Sequence, residues 1–222
     1  MDWSRPIDLY CEWTDPSFWA EPVNALSNAA FLIAAVLAFA RWRDDKRRDI
    51  PALLLIVLMA IIGLGSFIFH TAATAGAELF DTVPIAIFIY GYLILALRRF
   101  LNFSWGMVAG LLAVFAALSY GEAATVPPAT LNGSHGYLPA LGATLLIGMV
   151  AWRRRSGQWL IAAGLVFAVS ILFRSLDNAL CPVLPLGTHF IWHGLNAVVL
   201  YLLLRAAMVD ELSPSGRGQH GG

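Results

Sequence analysis

His189 and His193 open the last long apolar run of the chain, in Gly187-Thr188-His189-Phe190-Ile191-Trp192-His193-Gly194. A spacing of four on a helix puts both imidazoles on one face, one turn apart, where they suit two ligands of a tetrahedral metal. Polar rings are costly at membrane depth, so a pair of them in an apolar run needs a chemical reason. A third histidine, His70, closes an earlier apolar run in Gly65-Ser66-Phe67-Ile68-Phe69-His70. Three neutral imidazoles with one open position form a recurring donor set for catalytic zinc, which lowers the pKa of its water to about 7 and polarises a bound carbonyl. Ser66 lies one turn before His70 on the same helical face, and Asp81 opens the next apolar run. A hydroxyl that holds the carbonyl oxygen and a carboxylate that moves protons would complete a site for acyl hydrolysis.

Taken singly, each of these residues has a plainer role. His70 suits an interfacial histidine bonded to a carbonyl. Asp81 suits an N-cap, with Pro84 tolerated in the first turn. Ser66 after Gly65 suits close packing between membrane helices. Their joint occurrence favours the metal site, provided that the fold brings them together.

The elements that must do so are apolar helices. The chain has 222 residues, of which 59% are hydrophobic and 13% charged, and its mean hydropathy is +0.72. Such a composition excludes an ordinary soluble domain and a nucleic-acid-binding surface, and indicates an all-α integral membrane protein in one domain, residues 1–212. The expected spans are Val23–Ala40, Ala52–His70, Thr82–Leu97, Phe103–Tyr120, Gly136–Trp152, Gln158–Phe173 and Thr188–Arg205. That is a seven-transmembrane helix bundle, followed by a polar tail, Ser213–Gly222, expected to be disordered. Asn24, Ser27 and Asn28 share a face at the start of the first span and are expected to point inward.

Charge sets the orientation. Of the 14 Lys and Arg, all but Arg5 and Arg174 fall in the loops after spans one, three and five or around and after the end of span seven. The positive-inside rule therefore places the N-terminus outside and the C-terminus in the cytoplasm. This topology gathers Glu21, Asn24, Ser66, His70, Asp81, His189 and His193 into one layer on the outer side. Asp8, Glu12, Asp15 and Glu21 precede the first span; carboxylates there suit either a hard cation such as calcium or a solvated acidic face. Cys11 and Cys181 both lie on the outer side, where a disulfide is permitted.

These residues resemble the alkaline ceramidase family, within a superfamily of seven-span hydrolases that includes the adiponectin-type receptors. The likeness rests on Tyr10-Cys11-Glu12 with Ala20-Glu21-Pro22-Val23-Asn24-Ala25-Leu26-Ser27-Asn28, on Ser66-x-x-x-His70 with Asp81, and on His189-x-x-x-His193. It implies zinc on His70, His189 and His193, with Ser66 and Asp81 supporting hydrolysis of the N-acyl bond of a ceramide-like lipid. It further implies calcium on Glu12 and Glu21, although Leu9 stands where that pattern has an aspartate. Cys11 and the Asp177-x-x-x-Cys181 segment match the family's paired cysteines.

The expectation is thus a multi-pass zinc amidase acting on a lipid that reaches it from the bilayer, in the plasma (inner) membrane if the source is bacterial. Two alternatives stay open. One is a lipid-sensing, receptor-like protein with structural zinc, although structural zinc usually has four protein ligands. The other is a metal transporter, which would carry ionisable residues at mid-depth along several spans.

Overall fold

The computed structural model describes residues 2–45 and 48–209. The expected disordered tail, 213–222, lies outside the described residues. Among the described residues eight α-helices follow in chain order: α1 (Pro22–Ser27), α2 (Ala29–Asp44), α3 (Ile50–Ala72), α4 (Ala75–Arg99), α5 (Trp105–Thr125), α6 (Leu138–Val150), α7 (Arg155–Leu180) and α8 (His189–Met208). A 3₁₀ turn, Thr130–Tyr137, joins α5 to α6. Among the described residues no strand forms beyond a single bridge between Pro6 and Thr74.

Local chemistry explains the helix starts. The Asp49 carboxylate accepts from the Ala52 amide at 3.2 Å, Thr74 Oγ1 from Ala77 at 3.3 Å, and Ser104 Oγ from Met107 at 3.3 Å. Each satisfies one of the amides that a helix leaves unpaired in its first turn. α1 and α2 meet at Asn28, whose backbone stays helical, so together they form one span.

Six described segments are long and apolar enough to cross a membrane: Pro22–Asp44, α3, α4, α5, α7 and α8. The fold is that of a multi-pass membrane protein. The fifth expected span is represented by α6, which has 13 residues and begins only after the 3₁₀ turn. The sixth expected span, Gln158–Phe173, is part of a longer helix. Its continuation to Leu180 carries Arg174, Ser175, Asp177 and Asn178, polar groups that mark a false end to an apolar run but remain helical.

Two helix contacts position the site. α3 meets α4 at Gly65, where an added Cβ would lie 1.9 Å from the Phe80 carbonyl oxygen. Pro84, inside α4, removes the amide that would have paired with that carbonyl, leaving it free to lie against the glycine. α7 packs along α8 through Ala163, Phe167, Trp192, Ala197 and Leu204, and Ser170 Oγ donates to the Trp192 carbonyl at 3.3 Å. At the opposite end of the bundle, Arg99 Nη2 donates to Asp49 at 3.0 Å while Nη1 donates to the Ala207 carbonyl at 2.7 Å. α5 stands apart, burying only Val108 and Phe115.

Candidate metal centre

The end of α3 and the first turns of α8 converge. His70, His189 and His193 are all buried, and their ring centroids are 4.5–5.0 Å apart. One nitrogen of each lies within 4.8 Å of the others, so the three converge on one point, as ligands of a single ion must. His70 Nε2 and His189 Nδ1 are buried with no hydrogen-bond partner. Orphaned buried ring nitrogens are costly unless something accepts their lone pairs. The donor set fits a zinc ion.

Two of the imidazoles are held through a ring nitrogen and the third through its face. His70 Nδ1 meets Glu21 Oε2 at 2.6 Å and His193 Nδ1 meets Ser27 Oγ at 2.7 Å. Ser27 donates its own hydrogen to the Asn24 carbonyl, so it accepts from His193 Nδ1–H and leaves Nε2 free. Tyr10 stacks on His189 with centroids 3.6 Å apart and planes 21° off parallel. Burial holds the Tyr10 phenol above its ordinary pKa, so it stays protonated at neutral pH.

The backbone of residues 2–21 fixes these supports. Ile7 N donates to the Ala73 carbonyl at 2.7 Å and Glu21 N to the His70 carbonyl at 3.1 Å, laying the segment across the turn between α3 and α4. Cys11 and Cys181 are joined in a disulfide, with Cα atoms 5.4 Å apart. The Asp177 carboxylate accepts from Cys11 N at 2.9 Å, Thr188 N at 2.6 Å and His189 N at 2.9 Å. It thereby caps α8 at the helix end that carries two of the histidines. Gly187, with φ +62°, leaves the space: a Cβ there would lie 2.1 Å from Asp177 Oδ1.

Ser66 and Asp81 line one cavity with His189 and His193. Asp81 is not an N-cap. α4 starts at Ala75 under Thr74, so Asp81 lies in the helix interior, on the same cavity wall as Ser66. From this polar end the cavity continues past Ile85, Phe88, Tyr92 and Ala96 on α4 and Val199 and Leu203 on α8. Asp81 to Ala96 is about 22 Å of helix at 1.5 Å per residue. A buried donor triad thus heads an apolar trough of lipid-chain dimensions.

The family model for ceramidases matches residues 10–219. The chain belongs to the ceramidase family. No curated protein matches it.

In this family member the structure gives Glu12 and Glu21 internal partners. Glu12 accepts from the Val23 and Asn24 amides at 2.6 and 2.7 Å, capping α1, and Glu21 accepts from Asn24 Nδ2 at 2.9 Å as well as facing His70. Burial pushes the Glu21 carboxyl up to about 8, against the pull of its Asn24 bond. Among the described residues, the group of three or more that could hold a metal ion is the histidine triad, and neither glutamate belongs to it. Sequence reasoning missed Glu21 as the support of His70, Ser27 as the support of His193, Asp177 as the cap of α8, and Arg174 in the cavity wall. A carboxylate immediately before a span, and an arginine on the side of the membrane poor in basic residues, were the available signals.

Proposed function

We propose that this ceramidase-family protein is a membrane-embedded zinc amidase that hydrolyses the N-acyl bond of ceramide or a ceramide-like lipid to a free fatty acid and an amine. The observation supporting it is the convergence of three buried, back-braced imidazoles with Ser66 and Asp81 at the head of the apolar cavity. His70, His189 and His193 would hold the ion. Zinc bound there would act as a Lewis acid toward the amide carbonyl and make water nucleophilic near neutral pH.

The remaining work belongs to side chains of the chain itself. The trough holds the acyl chain along α4 and α8 and so fixes the amide at the histidines. Ser66 donates its hydrogen to the carbonyl oxygen as negative charge develops there. Asp81 accepts the proton from the attacking water and delivers it to the departing nitrogen; the C–O bond forms, the C–N bond breaks, and acid and amine separate. α6 completes a seventh span in this reading, with the N-terminus outside and the C-terminus cytoplasmic.

The test is release of fatty acid from N-acyl sphingoid lipids by purified protein, with and without a zinc chelator. Wild-type protein should carry one zinc and turn over; the His70→Ala/His193→Ala double variant should lose both. Stoichiometric zinc in that variant would overturn the ligand assignment. Zinc without turnover in the wild type would instead favour a receptor-like sensor.

A further inference from the structure

Arg174 occupies the wall of an otherwise hydrocarbon-lined cavity. It is carried by α7, is partly buried, and lines the cavity beside His189, His193 and Asp81. Its guanidinium donates to the Asn132 carbonyl at 2.5 Å, Ser134 Oγ at 3.1 Å and Tyr10 Oη at 3.1 Å. The same group lies 5.5–5.7 Å from the ring centres of Tyr10, Tyr137 and Trp192. Every one of these partners is neutral. Among the described residues, no carboxylate stands within 4.0 Å of it.

A guanidinium withdrawn from water without a counter-anion is costly. Structural anchoring alone would be served by a neutral donor, because the atoms it holds are a carbonyl and two hydroxyls. Arg174 also keeps donors in hand. Of its five N–H groups, Nε and one Nη2 hydrogen make no hydrogen bond among the described residues. A pre-oriented fork with free N–H groups is the chemistry that takes a carboxylate or phosphate. Asp81 lines the same cavity but makes no ion pair with Arg174.

Its position says which part of a ligand it meets. Tyr10 bridges Arg174 and the stacked His189, so the guanidinium lies one side chain away from the triad. The apolar trough runs from the triad along α4 and α8, leaving Arg174 at the polar end with Tyr10 and Asp81. An acyl chain in the trough puts the amine half of the lipid at that end. We infer that Arg174 binds an anionic group on the amine half of the substrate, so the preferred N-acyl lipid carries a carboxylate or phosphate near its amide. This rests on the amidase reading and, within it, favours a ceramide-like lipid with an anionic amine half over ceramide itself, which is neutral.

N-palmitoylserine and N-palmitoylserinol differ only in a carboxylate against a hydroxymethyl group; N-palmitoylethanolamine phosphate adds a phosphate arm. The wild type should favour an anionic substrate over N-palmitoylserinol by roughly tenfold or more in kcat/KM, mostly through KM, as expected for one hydrogen-bonded charge pair. Arg174→Gln should bring that ratio close to one while retaining zinc, and Arg174→Lys should restore part of it. A preference for the neutral lipid in the wild type, or an unchanged ratio in Arg174→Gln, would overturn the inference. If inhibition by palmitate weakens in Arg174→Gln while the ratio stays fixed, the anion is the acyl product and the inference fails. If none of the lipids is cleaved, the amidase reading fails separately; quenching of tryptophan fluorescence by the same lipids then measures the anion preference directly, and equal affinities in wild type and variant would overturn it.

Discussion

A hydrogen bond to one nitrogen of a metal-binding imidazole fixes tautomer, ring orientation and basicity at the other. Glu21 performs that task for His70 at 2.6 Å. Glu21→Gln should keep the fold and weaken zinc retention by roughly 10–100-fold, the range seen when such supports are removed, measured by competition with a chromogenic chelator. Asp81 stands in a different relation to the reaction. As the proton carrier it should be separable from binding: Asp81→Asn should retain zinc and lose about 100-fold or more in kcat. Unimpaired turnover would reduce Asp81 to a packing residue.

Between residues and the whole lie the helix contacts. Gly65 is required by the backbone of its neighbour, since a methyl group there would sit 1.9 Å from the Phe80 oxygen. Gly65→Ala should push α3 from α4, part Ser66 from Asp81, and lower stability by about 1–3 kcal/mol, as overpacking does. Thermal unfolding in detergent and turnover should fall together. Asp177→Ala would leave the amides of Cys11, Thr188 and His189 without their acceptor. A cost of at least about 1–2 kcal/mol is expected, with weaker zinc binding because α8 then starts loosely. This scale was also the least legible in the sequence. Hydropathy located each apolar run but misplaced helix ends, most of all where α4 begins before Asp81 and where α7 continues past Arg174 to Leu180. At α4 the small residues Ala75, Gly76 and Ala77 read as a connection although they are helical, and at α7 polar groups read as a loop although the helix continues. The histidine triad was legible because a spacing of four and an alternating topology suffice to gather it. Its supports were not, since Glu21, Ser27 and Asp177 act through contacts that no short spacing reveals.

For the molecule as a whole, charge distribution predicts that the site faces outward. A reporter active only in the cytoplasm should work when fused after Met208 and fail when fused before Trp3; the reverse would invert the topology. The disulfide closes a loop spanning a sequence separation of 170, and its loss through Cys11→Ser is expected to cost about 2–5 kcal/mol.

Tyr10, Glu21 and Ser27 each brace a different imidazole, yet all three come from the chain before α2. That short leading stretch is a jig for the centre: the three ring-bearing positions supply the atoms, and the jig sets how they are aimed. Changes confined to it could therefore retune the centre's grip while every histidine stays as it is.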